Sequence, residues 1–203
     1  MGRSKTFEHD EVVRSAREVF WSKGYEATGI ADLEDATGLN RSSIYHSFGS
    51  KRGLFDGAVD SYLDDVVRPR LAPLSGTAVG PDALEAYLHG LRRAMVDEPT
   101  LLAANGCLLL NATASLLGHE AGLQDVVTRY CAELRAGVTA GVASRRPDLH
   151  GEARETLTTT ITGLVFASMS IVRVDRAAAG GMLDAALHAL TGRAVGTVAV
   201  TAG

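Results

Sequence analysis

The sequence has no excess of positive charge and few of the residues that usually mark a metal site or a disulfide-bonded protein. Lys and Arg number 20 against 24 Asp and Glu, so the chain as a whole lacks the basic signature of nucleic-acid binding. Cys107 and Cys131 form no CxxC pair, and no histidine lies near them at metal-ligand spacing. They predict two buried thiols in a reducing compartment and no metal site.

Catalytic motifs are absent as well. HExxH, GxSxG and P-loop patterns do not occur, and the 6 histidines are scattered along the chain. The pair His119-Glu120 is the nearest thing to an acid–base couple, and its neighbouring glycines favour a solvated turn. The sequence therefore predicts a protein that is not an enzyme and needs no cofactor.

Neither a leader nor a membrane span is expected. Glu8, Asp10 and Glu11 interrupt the N-terminus before any apolar stretch begins. The uncharged stretch 156–172 is at the short limit for a membrane span, and its many Thr and Ser residues favour a buried helix. We therefore expect a cytoplasmic protein with no membrane partner.

What the chain does contain is helical periodicity. Apolar residues make up 46% of the sequence, enough for a sizeable core, and no convincing strand pattern precedes the tail. An apolar stripe from Val12 to Phe20 ends at Lys23-Gly24, and a long fourth helix from Ser50 must end at Pro69 or Pro73. Further helices are predicted over 84–95, 106–117, 123–145, 152–175 and 181–190, with a linker over 75–81 and a frayed tail from Thr191. The predicted fold class is all-α.

The segment from Thr28 to Lys51 has the pattern of a helix-turn-helix. Two short helices flank Thr37-Gly38-Leu39, where glycine permits the sharp turn, and Asn40 is a good N-cap for the second. The second helix would enter the major groove with Arg41, Ser42 and Ser43 near base edges, and with Tyr45 and His46 one turn later.

The charge around this segment is locally basic. Residues 36–55 contain no acid, and Ser50-Lys51 at the start of the next helix would make a phosphate clamp. Short helices joined by a glycine turn also occur in ordinary helical cores, so the pattern alone leaves a packing role open.

The residues from 12 to 59 resemble the N-terminal domain of TetR/AcrR-family regulators. The matching features are Val19-Phe20, the run 23–28, Ile30-Ala31-Asp32-Leu33, the run 36–39, Ile44-Tyr45, Phe48-Gly49-Ser50-Lys51 and Leu54-Phe55. This resemblance implies an Ω-shaped homodimer whose two heads read a near-palindromic double-stranded DNA operator. It also implies a helical C-terminal domain that binds a small-molecule effector. We expect a DNA-binding domain over 1–55 and a ligand-binding and dimerisation domain over 56–203.

The resemblance also assigns roles to single residues. Thr28, Tyr45 and Lys51 match positions that commonly touch phosphate, and Arg3 and Lys5 match a minor-groove arm found in some members. Two departures are visible. Gly29 stands where the family often has Ser or Thr, and Glu34-Asp35 would repel phosphate unless they are turned away from it.

In the C-terminal part, Asn111 is a polar residue in a run of leucines that begins at Gly106-Cys107. One interpretation is hydrogen bonding between helices inside the core. The other is that Asn111 orients a ligand in an apolar cavity. In that second case the candidate ligand-binding residues are Cys107, Asn111, Tyr130, Phe166 and Met169.

Two apolar stripes near the C-terminus suggest a dimer interface. One stripe contains Leu157, Ile161, Leu164 and Ser168, and the other contains Leu183, Leu187 and Leu190. Two such helices from each subunit would make a four-helix bundle, and Gly163 and Ala167 would permit a close approach. The competing interpretation is that the same stripes are buried within one subunit.

Overall fold

The computed structural model describes the backbone of residues 2–192 and the side chains of residues 9–192. Arg3 and Lys5 fall outside the described side chains, and residues 193–203 of the predicted frayed tail fall outside the described backbone. Within the described residues every regular element is helical, as the absence of alternating strand patterns predicts.

Four helices form the head of the molecule. They are α1 (Gly2–Lys23), α2 (Ile30–Thr37), α3 (Arg41–Phe48) and α4 (Lys51–Tyr62). The Phe20 ring lies edge-on to that of Phe55 with centroids 5.2 Å apart, and both side chains are buried. Leu33 and Ile44 add the apolar faces of α2 and α3 to the same core. This burial orients the polar face of α3 outward.

The remaining helices form the body. They are α5 (Arg68–Leu71), α6 (Ala83–Arg92), α7 (Leu101–Asn105), α8 (Leu108–Thr113), α9 (Ala121–Arg145), α10 (Gly151–Ile171) and α11 (Arg176–Thr191). Helix α10 packs along α11 on one side and α9 on the other. Buried residues of head and body form one continuous apolar core.

Helix α4 runs on into the body through a π-helical turn, Leu63–Val67, and then α5. Pro69 lies inside this stretch, and the helical path ends only after the 3-10 turn Ala72–Leu74, which contains Pro73. A second π-helical turn, Arg93–Asp97, extends α6. Proline removes a helical hydrogen bond, and the wider π turn just before Pro69 absorbs the altered bonding pattern.

Several predicted helix boundaries are wrong by a few residues, and α10, for example, ends at Ile171 rather than at 175. The predicted helix over 106–117 is broken into α8 and a 3-10 turn, Leu116–His119, and Gly106 lies outside it in the link after α7. Helix α11 begins at Arg176 rather than Gly181, because the Asp175 carboxylate caps it by accepting from the Ala178 N–H at 2.8 Å.

The predicted dimer stripes are largely buried within the subunit. Ile161 and Ser168 on α10 are fully buried, and so are Leu183 and Leu190 on α11. The within-subunit interpretation is therefore the right one for these side chains. Small residues on neighbouring faces are the ones left exposed, including Gly163 on α10 and Gly181 on α11.

Within the described residues, one stretch is long and apolar enough to cross a membrane, and it is not the stretch 156–172. It is Leu101–His119, with a mean hydropathy of 1.5. Half of it is buried inside the fold, and it is interrupted between α7 and α8. Helices in the core of a folded protein are often equally long and apolar, so the length and composition of this stretch are weak evidence for a membrane span.

Candidate functional site

The turn between α2 and α3 has the geometry that the helix-turn-helix pattern predicts. Helix α2 ends at Gly38, whose φ of 70° lies in the left-handed region that favours glycine, and its N–H donates to Glu34 O at 2.9 Å. Asn40 then caps α3, because its Oδ1 accepts from the Ser43 N–H at 2.9 Å and from the Ser42 hydroxyl at 2.6 Å.

Helix α3 presents one polar face to solvent. Arg41, Ser42, Tyr45 and His46 are exposed and Ser43 is half-buried, whereas Ile44 on the opposite side is fully buried. The Arg41 guanidinium lies 5.6 Å from the centre of the Tyr45 ring, a cation–π contact that holds it along the helix surface. The five predicted recognition residues are therefore together on one face of one short helix.

Next to this face lies the N-terminus of α4, where backbone N–H groups and the helix dipole favour an anion. Ser50 caps the helix by accepting from the Gly53 N–H at 3.0 Å. The Lys51 ammonium lies 4.3 Å from the centre of the Tyr25 ring, which positions its charge near the helix end. The phosphate clamp at Ser50-Lys51 stays a prediction.

The structure corrects the expectation for Thr28. Its side chain is buried, and its hydroxyl donates to Gly24 O at 2.6 Å, so it is not available to a phosphate. The residue that caps α2 is Gly29, whose N–H donates to the Asp32 carboxylate at 2.8 Å. The pKa of Asp32 lies below its usual value, because Lys23 donates a hydrogen bond to the carboxylate and adds its positive charge, and the Gly29 N–H donates a second hydrogen bond.

Glu34, one of the two acids that depart from the family pattern, is turned toward the recognition helix. Its Oε1 accepts from the Arg41 N–H at 2.5 Å and so satisfies one of the free donors at the N-terminus of α3. Asp35 is exposed on α2. A carboxylate at a helix N-terminus is stabilised by the helix dipole, which accounts for the position of Glu34.

In the body, three of the five candidate ligand-binding residues meet. The Tyr130 hydroxyl lies 3.9 Å from Cys107 Sγ and 3.7 Å from Met169 Sδ, and all three side chains are buried. Burial raises the pKa of both the Cys107 thiol and the Tyr130 phenol, so both stay protonated at neutral pH. Phe166 is half-buried, with its ring centre 6.1 Å from that of Tyr130.

The structure favours the packing interpretation of Asn111. Its side-chain amide donates to Asn105 O at 2.7 Å and thereby ties α8 to the end of α7. Asn111, Cys107 and Phe166 do not line the small cavity of about 20 Å³ in the body, whereas Tyr130 and Met169 do. Sequence reasoning missed the remaining polar lining residues, Tyr62, Arg70 and Tyr87.

Polar contacts join the head to the body at several places. The Trp21 indole N–H donates to Gly106 O at 2.7 Å, Glu26 accepts from the Leu116 N–H at 3.1 Å, and Arg52 pairs with Glu120. The Trp21 contact is buried, and the Trp21 ring also lies edge-on to Tyr62 with centroids 4.9 Å apart. Because Tyr62 lines the cavity, the cavity wall and helix α1 are in direct contact.

Comparison with known proteins gives a consistent result. The family model described as "Bacterial regulatory proteins, tetR family" matches residues 12–58. The chain is 33% identical over 158 residues to the uncharacterised transcriptional regulator YezE of Bacillus subtilis, covering 75% of this chain and 78% of YezE. It is also 33% identical over 116 residues to the transcriptional repressor ComR of Escherichia coli, covering 57% of this chain and 54% of ComR.

A solved structure extends the similarity to the whole fold. A cysteine variant of the TetR-family regulator CifR, in complex with 26-base-pair operator DNA, superposes with a TM-score of 0.69 at 27% identity. The match covers 88% of this chain and 95% of CifR. The similarity therefore includes the body as well as the helix-turn-helix.

Proposed function

Since the chain belongs to the TetR family of bacterial transcriptional regulators, we propose that it is a cytoplasmic repressor that binds a near-palindromic operator as a homodimer. It is a transcriptional regulator and not an enzyme. The observation that carries the proposal is the exposed polar face of α3 beside the N-terminus of α4. In this proposal, residues 1–55 form the DNA-binding domain, and residues 56–203 bind the effector and dimerise.

Base recognition is assigned to the N-terminal turn of α3. Arg41 is exposed there, and its guanidinium has the geometry for a bidentate contact with guanine. Ser42 and Ser43 are short donors and acceptors that suit more than one base. His46 lies one turn further along the same face.

Phosphate contacts are assigned to Tyr45, Lys51 and the N–H groups at the start of α4. Such contacts set the register and orientation of the head on the duplex but carry no sequence information themselves. Lys51 supplies a point charge next to the helix dipole. The charge of the chain as a whole is −4, so this local arrangement must provide the attraction for DNA.

The homodimer is proposed to form through the outer faces of α10 and α11. A β-carbon added to Gly163 or Gly181 would meet no other atom within 4 Å, so these faces are open in the monomer. Small residues allow two helices to approach closely, and two helices from each subunit complete a four-helix bundle. A two-fold dimer places two identical heads on the two halves of a palindrome.

The effector is proposed to bind in the body and to change the distance between the two heads. The cavity bounded by Tyr62, Tyr130 and Met169 is the proposed site. Trp21 contacts Tyr62, so a change at the cavity wall reaches α1 directly. A ligand releases DNA only if it binds the two states with different affinities, and about 3 kcal/mol of coupling gives roughly a hundredfold change in operator affinity.

The test is binding of the purified protein to its own upstream DNA at about physiological salt, where non-specific attraction is suppressed. We expect Arg41→Ala to lose about 1–3 kcal/mol of discrimination at one base position. Lys51→Ala should weaken binding equally across sequences and lower the salt slope by about 1. Arg173→Ala, which removes an exposed arginine of the body, is the matched control and should change neither property.

The alternative is a helical homodimer that binds a ligand or a protein and uses the helix-turn-helix only for packing. In that case no near-palindrome would bind selectively, and Arg41→Ala would behave like Arg173→Ala. Equal binding of the wild-type protein to upstream and scrambled DNA would contradict the proposed repressor function.

A further inference from the structure

The cavity in the body is too small for any effector as it stands. Its volume of about 20 Å³ is enough for roughly one water molecule. It lies where α4, α6, α9 and α10 meet, and the phenols of Tyr62, Tyr87 and Tyr130 form part of its wall. An effector must therefore displace part of this wall.

A larger pocket lies directly outside. It has a volume of about 430 Å³, within the range of small-molecule sites, and is bounded by α5, α6 and the π-helical turn Arg93–Asp97. Arg70, Tyr87 and Leu91 line both spaces. These three side chains are therefore the partition between the outer pocket and the inner cavity.

Two of the three side chains in the partition are not fully buried. Arg70 is exposed and Tyr87 is half-buried, so both side chains border solvent on one side. The segment before Arg70 is the π-helical turn Leu63–Val67, in which the usual helical hydrogen bonds are replaced. Displacement of these two side chains together with Leu91 would join the outer pocket to the inner cavity.

The main polar groups of the inner wall each carry a hydrogen-bond donor. Burial raises the pKa of the Tyr62, Tyr87 and Tyr130 phenols, so they remain protonated, and Arg70 adds a permanent positive charge. No Asp or Glu lines this inner cavity, and Glu98 borders only the outer pocket.

One of these donors, the Tyr130 hydroxyl, has a weak acceptor. The Tyr130 hydroxyl donates to the Met169 thioether, with 3.7 Å between oxygen and sulfur, and accepts from the Cys107 thiol at 3.9 Å. Sulfur is a poor hydrogen-bond acceptor, so a ligand oxygen would replace the contact of Tyr130 with Met169 by a stronger one.

We propose that the effector of this protein is a small organic carboxylate with an apolar body, which enters between α5 and α6 and places its carboxylate against Arg70 and the phenols of the inner wall. Its apolar part then lies among Leu91, Leu102 and Leu134. A carboxylate only accepts hydrogen bonds, which complements a wall of donors. This inference rests on the proposed function, because it names the ligand class of the same site.

The experiment uses the full-length protein with three matched probes: 4-phenylbutyrate, its primary amide and the corresponding amine. Binding is followed by the melting temperature and by the fluorescence of Trp21, the one tryptophan of the chain, whose ring contacts Tyr62. We expect the carboxylate to bind at least about tenfold more tightly than the amide. The amine should bind most weakly, because its charge has the same sign as that of Arg70.

Variants locate the site. Arg70→Met keeps an apolar stem at an exposed position and should weaken carboxylate binding at least about tenfold. Amide binding should change much less. Arg173→Met, at an exposed position away from both pockets, is the control and should leave carboxylate binding unchanged. Circular dichroism and the ligand-free melting temperature establish that each variant folds.

Three results would overturn the inference: equal binding of amide and carboxylate, full carboxylate affinity in Arg70→Met, or no response to 4-phenylbutyrate up to about 10 mM. Operator binding is measured on the same samples. Selective operator binding without carboxylate binding refutes only the ligand class. Carboxylate binding without selective operator binding refutes the proposed repressor and leaves the ligand class standing.

Discussion

Replacing Gly106 with alanine is expected to destabilise the protein by about 2–6 kcal/mol. Gly106 has φ 67° and ψ −149°, a conformation that is essentially restricted to glycine and costs other residues about 1–3 kcal/mol. A β-carbon there would lie 2.4 Å from Met169 O. This atom belongs to the backbone of α10 and cannot rotate away, so overpacking adds about 1–3 kcal/mol.

Urea unfolding followed by Trp21 fluorescence measures this loss directly. Trp21 donates to Gly106 O, so its emission reports the contact that the substitution disturbs. We expect a lower midpoint with an unchanged slope, measured at one fixed protein concentration because dimerisation affects apparent stability. A loss of this size is a large share of a typical total of about 5–15 kcal/mol.

The control is Gly90→Ala in the interior of α6. Gly90 has helical surroundings and nothing within 4 Å of its β-carbon position, so alanine should stabilise the protein by about 0.5–1 kcal/mol. The reasoning would be refuted if Gly106→Ala were within about 1 kcal/mol of the wild type, because neither the backbone conformation nor the close approach would then matter.

Two further predictions concern the α1–α4 contact and the dimer. Partial burial by itself raises the pKa of Asp65, but hydrogen bonds from Arg17 and Ser61 outweigh it and the pKa is lowered. A lowered carboxyl pKa stabilises the fold above the unfolded value, about 3.9, and this contribution disappears as pH falls through the folded value. Arg17→Met should therefore reduce the unfolding free energy at pH 7. Between about pH 5 and 3, the range of that titration, the variant should lose less unfolding free energy than the wild type. An equal loss in the two proteins would contradict this prediction. For the dimer, Gly163→Arg should give a monomer in sedimentation, whereas Gly80→Arg, at an exposed loop position with nothing within 4 Å, should not; a dimeric Gly163→Arg would exclude this face as the interface.

The helix-turn-helix could be predicted almost residue by residue because its signals are local. Gly38, Asn40 and Ser50 end or begin helices through contacts within four residues, and the sequence displays those partners directly. The prediction for Thr28 is wrong because its hydroxyl turns back to Gly24 in the preceding loop. The spacing of Gly29 and Asp32 was the available signal for the true cap, since a carboxylate three residues after the cap position completes a capping box.

The body was harder because its functional geometry depends on packing between distant segments. The two stripes that contain Ile161 and Leu183 have the same periodicity whether they face another subunit or the core of their own subunit. The π-helical turn at Leu63–Val67 has no distinctive composition. The partition between the two cavities combines Arg70 of α5 with Tyr87 and Leu91 of α6, which are two different helices. Sequence periodicity carries no information about which elements meet.

The contacts between head and body determine how a change at the cavity reaches the DNA-binding surface. Helix α4 is the covalent connection, and the buried Trp21 contact on α1 is a second connection beside it. The Arg52–Glu120 pair is partly exposed, and ion pairs of this kind contribute little. Since packed interiors transmit displacement rather than absorb it, movement of Tyr62 must displace Trp21 or open a void beside it. Connection at two points on different helices favours rotation of the head as a unit over bending of α4 alone, and rotation changes the direction in which Arg41 points.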